Sequence, residues 1–299
     1  MPPQLVLALG VVAVSSAAVI IRLAGEAPAL VIGAYRLGIA SLVVVPAVSF
    51  IAPRDLRAYP RHLIPQVLAS GVLLALHFAF WIASLDYTSV AASVVLVTTA
   101  PLMVAPLSYW LTGDRVTRQT LGGILIGLIG IGLIAFGNAL SEAGSLVGDG
   151  LALLGAAAMA GHQLAGRRLR RRLSLPAYIA VIYPVAAVAL WGAAGISGGP
   201  LIGFSAATYG YLLLLGLLPQ VLGHSMLNWS LGHLSAVAVS TAVMAEPVGA
   251  TVLAFLVLGE APGMNEVLGG AVVLGGVYLA LRGEGRRRPS GPADAILAT

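Results

Sequence analysis

The sequence predicts an all-α membrane protein: ten transmembrane helices, arranged as two inverted five-helix repeats around a central cavity. Three observations carry this. Charged residues are 9% and hydrophobic residues 59% of the 299, with a mean hydropathy of +0.98. A globular domain carries about 25% charged residues, so this chain lacks the polar surface to wrap a water-soluble body. The apolar residues fall in ten runs, each close to the roughly 20 residues that cross a bilayer core about 30 Å thick. Finally, all but two of the 16 arginines fall in alternate joints between the runs or in the tail, the signature of a fixed orientation in a membrane.

The runs are read in order from residue 4. The first, 4–21, lacks a basic leader and a clear small-residue cleavage site, so it is expected to be a retained helix rather than a signal peptide. The second, 31–51, carries Arg36, and the third, 64–84, carries His77 and Trp81. The fourth, 89–111, contains Pro101, and the fifth, 120–138, contains Gly123, Gly127 and Gly130. The sixth, 149–166, ends on an arginine run, and the seventh is 176–196. The eighth, 207–229, holds Gln220, His224 and Asn228, and the ninth, 235–258, holds Glu246 and Pro247. The tenth, 265–282, is glycine-rich at 269, 270, 275 and 276. A membrane strand would need only about 9–11 residues in strict alternation, and a run such as 121–136 does not alternate. The expected organisation is a first repeat over 1–140, a second over 141–284, and an arginine-rich tail over 285–299.

All 16 basic residues are arginine. With the N-terminus in the cytoplasm, the inner joints hold Arg54, Arg57 and Arg61, then Arg115 and Arg118, then Arg167, Arg168, Arg170, Arg171 and Arg172; the tail adds Arg282, Arg286, Arg287 and Arg288. Only Arg22 and Arg36 stand elsewhere, while the outer joints collect Glu26, Asp86, Glu142, Asp149, Glu260 and Glu266. Both termini are therefore expected in the cytoplasm, with the chain in a bacterial inner membrane. Basic charge set between apolar blocks does not make a nucleic-acid surface. There is no cysteine for a thiolate metal site or nucleophile, and no lysine for a phosphate-binding Gly-x-x-x-x-Gly-Lys loop, so ATP hydrolysis within this chain is excluded. No cofactor, catalytic residue or metal is expected. The partners are a small-molecule substrate and the lipid bilayer.

The halves repeat. A shift of 146 residues pairs Ser84-Leu85 with Ser230-Leu231, Ser89 with Ser235 and Val97 with Val243. It also pairs Pro101 with Pro247, Gly113 with Gly259, Asp114 with Glu260, Gly123 with Gly269 and Gly130 with Gly276. Five helices per repeat is an odd number, so the repeats enter the membrane in opposite senses, the plan of many secondary transporters. The glycines suit close helix packing, either within one chain or in a homodimer.

These residues carry a resemblance. Pro101-Leu102-x-x-x-Pro106-Leu107 followed by Leu111-Thr112-Gly113-Asp114-Arg115-Val116-Thr117 resembles the first repeat of the drug/metabolite transporter superfamily. Ala245-Glu246-Pro247-Val248-Gly249 with Leu258-Gly259-Glu260-Ala261-Pro262 resembles the second, and Ala34-Tyr35-Arg36 fits the arginine of the second helix. The likeness covers nearly the whole chain and fits the ten-helix EamA-type exporter branch, which includes bacterial amino-acid exporters. It implies a cavity lined mainly by the first, third, fourth, sixth, eighth and ninth helices. Asp114 departs from the glutamate usual at its position.

Polar side chains inside the runs are few, and each needs a reason to be there. His77 and Trp81, one turn apart, suit an amphipathic solute. Gln220, His224 and Asn228 make one stripe at α-helical spacing, with His162 and Gln163 similar on the sixth run. Thr98 and Thr99 stand three and two residues ahead of Pro101, and Ser240 seven ahead of Pro247; such hydroxyls commonly bond back to their own helix. Glu246 lies mid-span with no route to interfacial water: it binds a proton or an ammonium, pairs with Arg36, or stays a neutral acid.

The expected function is a secondary transporter exporting small metabolites, with amino acids leading and a multidrug exporter of cationic amphiphiles as the alternative. Gly195-Ile196-Ser197-Gly198 resembles an intramembrane protease motif, but Gly199-Pro200 follows it as in a loop, so an enzyme is not expected. No filter motif suggests a channel.

Overall fold

Inside lipid every backbone N–H and C=O needs a partner within the protein, and a helix supplies one locally. The computed structural model describes residues 1–57, 59–87, 93, 96–112, 114, 116–139 and 146–285, and among these there is no strand. Among the described residues each apolar run contains a helix: α1 (Pro3–Leu23), α2 (Ala29–Ile51), α3 (Ile64–Ser84), α4 (Ala100–Thr112), α5 (Arg118–Ala139), α6 (Leu146–Arg170), α7 (Leu175–Ile196), α8 (Ala206–Ser230), α9 (Ala236–Leu258) and α10 (Met264–Gly285). Seven of these (α1, α2, α3 with the turn before it, α7, α8, α9 and α10) are long and apolar enough to cross a membrane. In α5 the qualifying stretch is the shorter Arg118–Ile134. Asp149, His162, Gln163 and the terminal arginines lower the hydropathy of α6. Gly113, Arg115, Ser89, Glu142, the 140/141 repeat boundary and the tail arginines 286–288 lie outside the described residues.

Serines set three helix starts. Ser174, Ser205 and Ser235 each accept a hydrogen bond from the backbone N–H three residues on, at Ala177, Thr208 and Ala238. At the end of α9 the chain turns through Gly259 at φ +71°, a left-handed position that favours glycine.

The packing follows the repeat. α5 lies along α10 and α2 along α7; α3 packs on α6 and α7, as α8 packs on α1 and α2; α4 packs on α6 as α9 packs on α1. Exchanging each helix with the one five places later returns the same set, which is a pseudo-two-fold relation between the halves.

Glycines make the α5–α10 seam. A Cβ on Gly123 would sit 2.4 Å from the Ala280 nitrogen, one on Gly130 2.5 Å from the Val273 nitrogen, and one on Gly276 2.4 Å from the Gly127 nitrogen. A Cβ on Gly269 would meet the Gly130 carbonyl at 2.6 Å. These four glycines therefore close the two helices of one chain against each other. Gly275, with nothing within 4 Å, points to open space.

The repeat offset also varies by one residue along the chain. Gly10 faces Met226 on α8, as Gly155 faces Trp81 on α3; Gly71 faces Val185 on α7, as Gly216 faces Ile39 on α2. Both glycine pairs are 145 residues apart, one fewer than the pairs from Ser84 and Ser230 onward. Within α8, Gly216–His224 winds as a π-helix around Pro219. Proline removes one helix donor and its ring crowds the carbonyl one turn back. A π-turn is a one-residue insertion into a helix, frequent at functional sites.

Candidate functional site

Where α4 and α9 cross the middle of the protein, both are interrupted. Before Pro101 the chain passes through a turn at Thr98 and Thr99, with Thr99 N–H bonded to the Leu96 carbonyl at 3.2 Å. Before Pro247 it does the same at Met244 and Ala245, bonded to the Thr241 and Ala242 carbonyls at 3.1 Å each. The two prolines of the repeat thus place two helix breaks side by side, and the start of the second half of α9 is Glu246.

A cavity of about 70 Å³ lies between the breaks. It is lined by Arg36 of α2, by His77, Phe78 and Trp81 of α3, by Val97, Thr98 and Pro101, by Met159 and Gln163 of α6, by His224 of α8, and by Ser240, Val243, Met244 and Glu246 of α9. Through Ala18, Trp81 and Ala250 it joins a vestibule of about 860 Å³ between α1, α3, α9 and α10. The vestibule carries Arg22, Glu260 and Glu266, so it opens on the face away from the arginine runs.

Seven of the ten candidate binding residues line this cavity: His77, Trp81, Thr98, Gln163, His224, Ser240 and Glu246. Thr99, His162 and Asn228 stand outside its wall. Thr99 donates to the Leu96 carbonyl at 2.6 Å. His162 is held behind α3 by the Ser70 carbonyl at 3.0 Å, with the Ser70 hydroxyl at 3.1 Å and Tyr178 stacked on its ring. The backbone carbonyl of Asn228 accepts from Arg170 at 3.1 Å, and its side chain is buried away from the cavity wall. The stripe Gln220–His224–Asn228 assumed α-helical spacing, and the wider π-turns split it.

Arg36 is 1% exposed. Its Nε donates to Gln220 Oε1 at 2.8 Å and its guanidinium lies 4.4 Å from the Phe78 ring centroid. Gln220 is thereby a holder of Arg36, and its own carbonyl accepts a 3.4 Å bond from Tyr183. Nη1 of Arg36 is buried with no partner. Arg36 and Glu246 share the cavity but form no ion pair; the described pairs are Arg22–Glu260, Arg167–Asp114 and Arg171–Asp114. A guanidinium and a carboxyl group thus face one space, each without the other as direct partner.

Neutral groups stand between the poles. His77 Nδ1 sits 3.0 Å from the Gly155 carbonyl. A carbonyl only accepts, so in the neutral ring Nδ1 carries the proton and Nε2 is left as an acceptor. The His77 ring stacks on Trp81 with centroids 5.8 Å apart. Trp81 Nε1, Gln163 Oε1 and Ser240 Oγ are buried and unpartnered. Buried polar atoms are normally hydrogen-bonded, so a cluster of orphans around one cavity marks where a polar solute or water completes the set. Ser15 donates to the Val11 carbonyl at 2.8 Å and Ser16 to the Ala13 carbonyl at 2.7 Å, so both stay within α1. Ser197 ends α7 and donates to the Ala194 carbonyl at 2.7 Å, a turn rather than a buried nucleophile.

Outside the spans, Glu26 accepts from the Ser205 N–H at 3.0 Å and from the Thr208 hydroxyl at 2.9 Å. These bonds favour its charged form and lower its pKa from the ordinary carboxylate value. They also tie the α1–α2 joint to the start of α8.

The sequence analysis missed the partners of Arg22 and Arg167. Each sits in the last turn of its helix and reaches an acid just beyond another: Glu260 past α9, and Asp114 past α4. The 146-residue shift does not align the two arginines, and 145 does.

Among solved structures, one crystal structure of a protein matches with a TM-score of 0.80, covering 95% of this chain and 99% of that chain at 18% identity. That likeness is one of fold. An "Uncharacterized transporter" of Clostridium kluyveri is 26% identical over 194 residues, 62% of this chain. The chain spans 61% of that relative's length. The model of the EamA-like transporter family matches twice, at residues 1–136 and 146–282, leaving between its copies only the stretch ahead of α6. Two repeats that pack with exchange symmetry around a polar cavity, each matched by the same family model, make this multi-pass membrane protein a member of the EamA-like transporter family.

Proposed function

We propose that the protein exports small zwitterions, α-amino acids with aromatic or branched side chains foremost, from the bacterial cytoplasm across the inner membrane by alternating access. The observation that supports this is the unpaired couple of Arg36 and Glu246 on one cavity wall. A zwitterion satisfies both at once, its carboxylate on Arg36 Nη1 and its ammonium on Glu246. Charge-assisted bonds of this kind are about twice as strong as neutral ones. Phe78, Trp81, Met159 and Met244 offer an apolar bed for the side chain. Transport then follows from rocking the two repeats around this site, with the vestibule as the exit.

Counterflow in proteoliposomes tests the cargo. Labelled phenylalanine, leucine and their decarboxylated amines are compared with a lipophilic cation. Only the zwitterions are expected to exchange; exchange of the amines and the cation alone would favour a cationic-amphiphile exporter instead. Trp81→Ala is expected to raise the apparent KM for phenylalanine by about 2- to 10-fold, the range of a lost aromatic contact. An unchanged KM would remove Trp81 from the cargo site.

Confinement of the described joint arginines to one face supports a cytoplasmic location for both termini. The chain has no cysteine to mask the result. Cysteine at exposed Arg172 is expected to react with an impermeant maleimide only from the cytoplasm, and cysteine at exposed Ser197 only from outside. The reverse pattern would invert the direction of export.

A further inference from the structure

The two ends of the cavity are closed unequally, and the difference falls on residues that the repeat makes equivalent. On the arginine-rich face Arg167 reaches Asp114 at 3.4 Å and donates through Nη1 to the Leu231 carbonyl at 3.1 Å. One guanidinium thereby ties α6 to the joint after α4 and to the joint between α8 and α9. Arg171 adds a second contact to Asp114 at 3.5 Å. The Arg167 and Asp114 side chains are 10% and 11% exposed.

On the opposite face Arg22 reaches Glu260 at 2.9 Å, with the two side chains 66% and 47% exposed. Arg22 and Arg167 are 145 residues apart, the offset of Gly10 and Gly155 on the same two helices; Asp114 and Glu260 are 146 apart, the offset of Ser84 and Ser230. The same ion pair is therefore built twice, once at each face. What differs is the third partner. The equivalent of Leu231 is Leu85, which stands on the vestibule wall, and among the described residues no bond joins it to Arg22.

We propose that Arg22 and Arg167 are alternating latches for transport. Each holds its face shut by bonding both its carboxylate and the carbonyl of the facing joint, and one face at a time has that second bond. In this structure the arginine-rich face is latched. In the other state Arg22 takes the Leu85 carbonyl and closes the vestibule, while Arg167 leaves Leu231. The passage that opens runs past Val104, Ser108 and Thr112, the counterparts of the vestibule residues Ala250, Ala254 and Leu258. Val104 and Ser108 are fully buried here and Thr112 nearly so. The physical drive is that a desolvated arginine and a buried carbonyl are each costly alone and favourable together, so the contact is all-or-none. The proposal rests on the alternating-access reading above and not on the identity of the cargo.

Single cysteines test it in the intact chain, purified into nanodiscs so that both faces are accessible. Ser108→Cys reports the arginine-rich passage, Ala254→Cys the vestibule, and Ala186→Cys, buried in the core of α7, reports unfolding. With no other change, maleimide is expected to react quickly at 254 and slowly at 108. Adding Asp114→Asn is expected to raise the rate at 108 by about tenfold and to lower it at 254, with 186 still protected. Adding Glu260→Gln as well is expected to restore the original ratio, and Asp114→Glu to preserve it. Rates at 108 and 254 that rise together with 186 would reduce Asp114 to a structural support. Continued protection at 108, or a rise at 108 with no fall at 254, would overturn the latch. Labelling needs no substrate, so reciprocal rates without amino-acid counterflow would sink the cargo reading alone, and normal counterflow without reciprocal rates would sink the latch alone.

Discussion

Glu246→Gln is expected to lower amino-acid counterflow by about 10- to 100-fold, the cost of one lost charge-assisted bond of about 1.5–3 kcal/mol, while the purified protein keeps its thermal midpoint. The reasoning is geometric. If Glu246 neutralised Arg36 directly, removing its charge would strand a buried guanidinium and destabilise the fold by several kcal/mol. Arg36 instead rests on Gln220 Oε1 and the Phe78 ring, and no ion pair links it to Glu246. On the proposed reading the carboxylate is left for the solute. Arg36→Gln is expected to abolish counterflow as well, and the double variant to rescue neither. Recovery of transport in the double variant would show the two charges to be a structural pair, and full activity in Glu246→Gln would take that residue out of the mechanism.

Gly276→Leu is expected to prevent stable folding, losing about 3 kcal/mol or more, because its Cβ would overlap backbone atoms that have no room to retreat. The nearest are the Gly127 nitrogen at 2.4 Å and the Gly123 carbonyl at 2.7 Å. Gly275→Leu, one residue away and facing open space, is expected to leave the detergent-solubilised protein intact. Size-exclusion profiles and thermal midpoints of the two variants give the comparison. A more damaging substitution at 275 would mean that α10 packs chiefly against another molecule and that the seam with α5 is secondary. Helix association in lipid depends on such close approach, since apolar burial gives little drive between helices already surrounded by hydrocarbon.

Much of this protein was legible in its sequence because the bilayer leaves few choices. A chain with 59% hydrophobic residues and 9% charge has to span. Run length then fixes helices, and arginine placement separates the faces. Prolines and glycines in one register reveal the repeat, and each has a visible consequence: the paired helix breaks before Pro101 and Pro247, and the seam that uses Gly123, Gly130, Gly269 and Gly276. Mid-span polarity pointed to the cavity through His77, Trp81 and Glu246.

Which polar residues line the cavity was decided only by the fold. Gln220, His224 and Asn228 are equivalent on an α-helical wheel, yet one holds Arg36, one lines the cavity and the backbone of the third braces Arg170. Pro219 and the π-turn around it rotate them apart, and a helical wheel has no term for an inserted residue. A one-residue difference in offset hid the equivalence of Arg22 and Arg167. Composition and periodicity act along one helix, and the membrane enforces them strongly, so the sequence determined the spans and the repeat. The partner of a buried charge is chosen across helices, by which neighbour can approach it without water, and for Arg36, Arg167 and Glu246 that choice belonged to the tertiary structure.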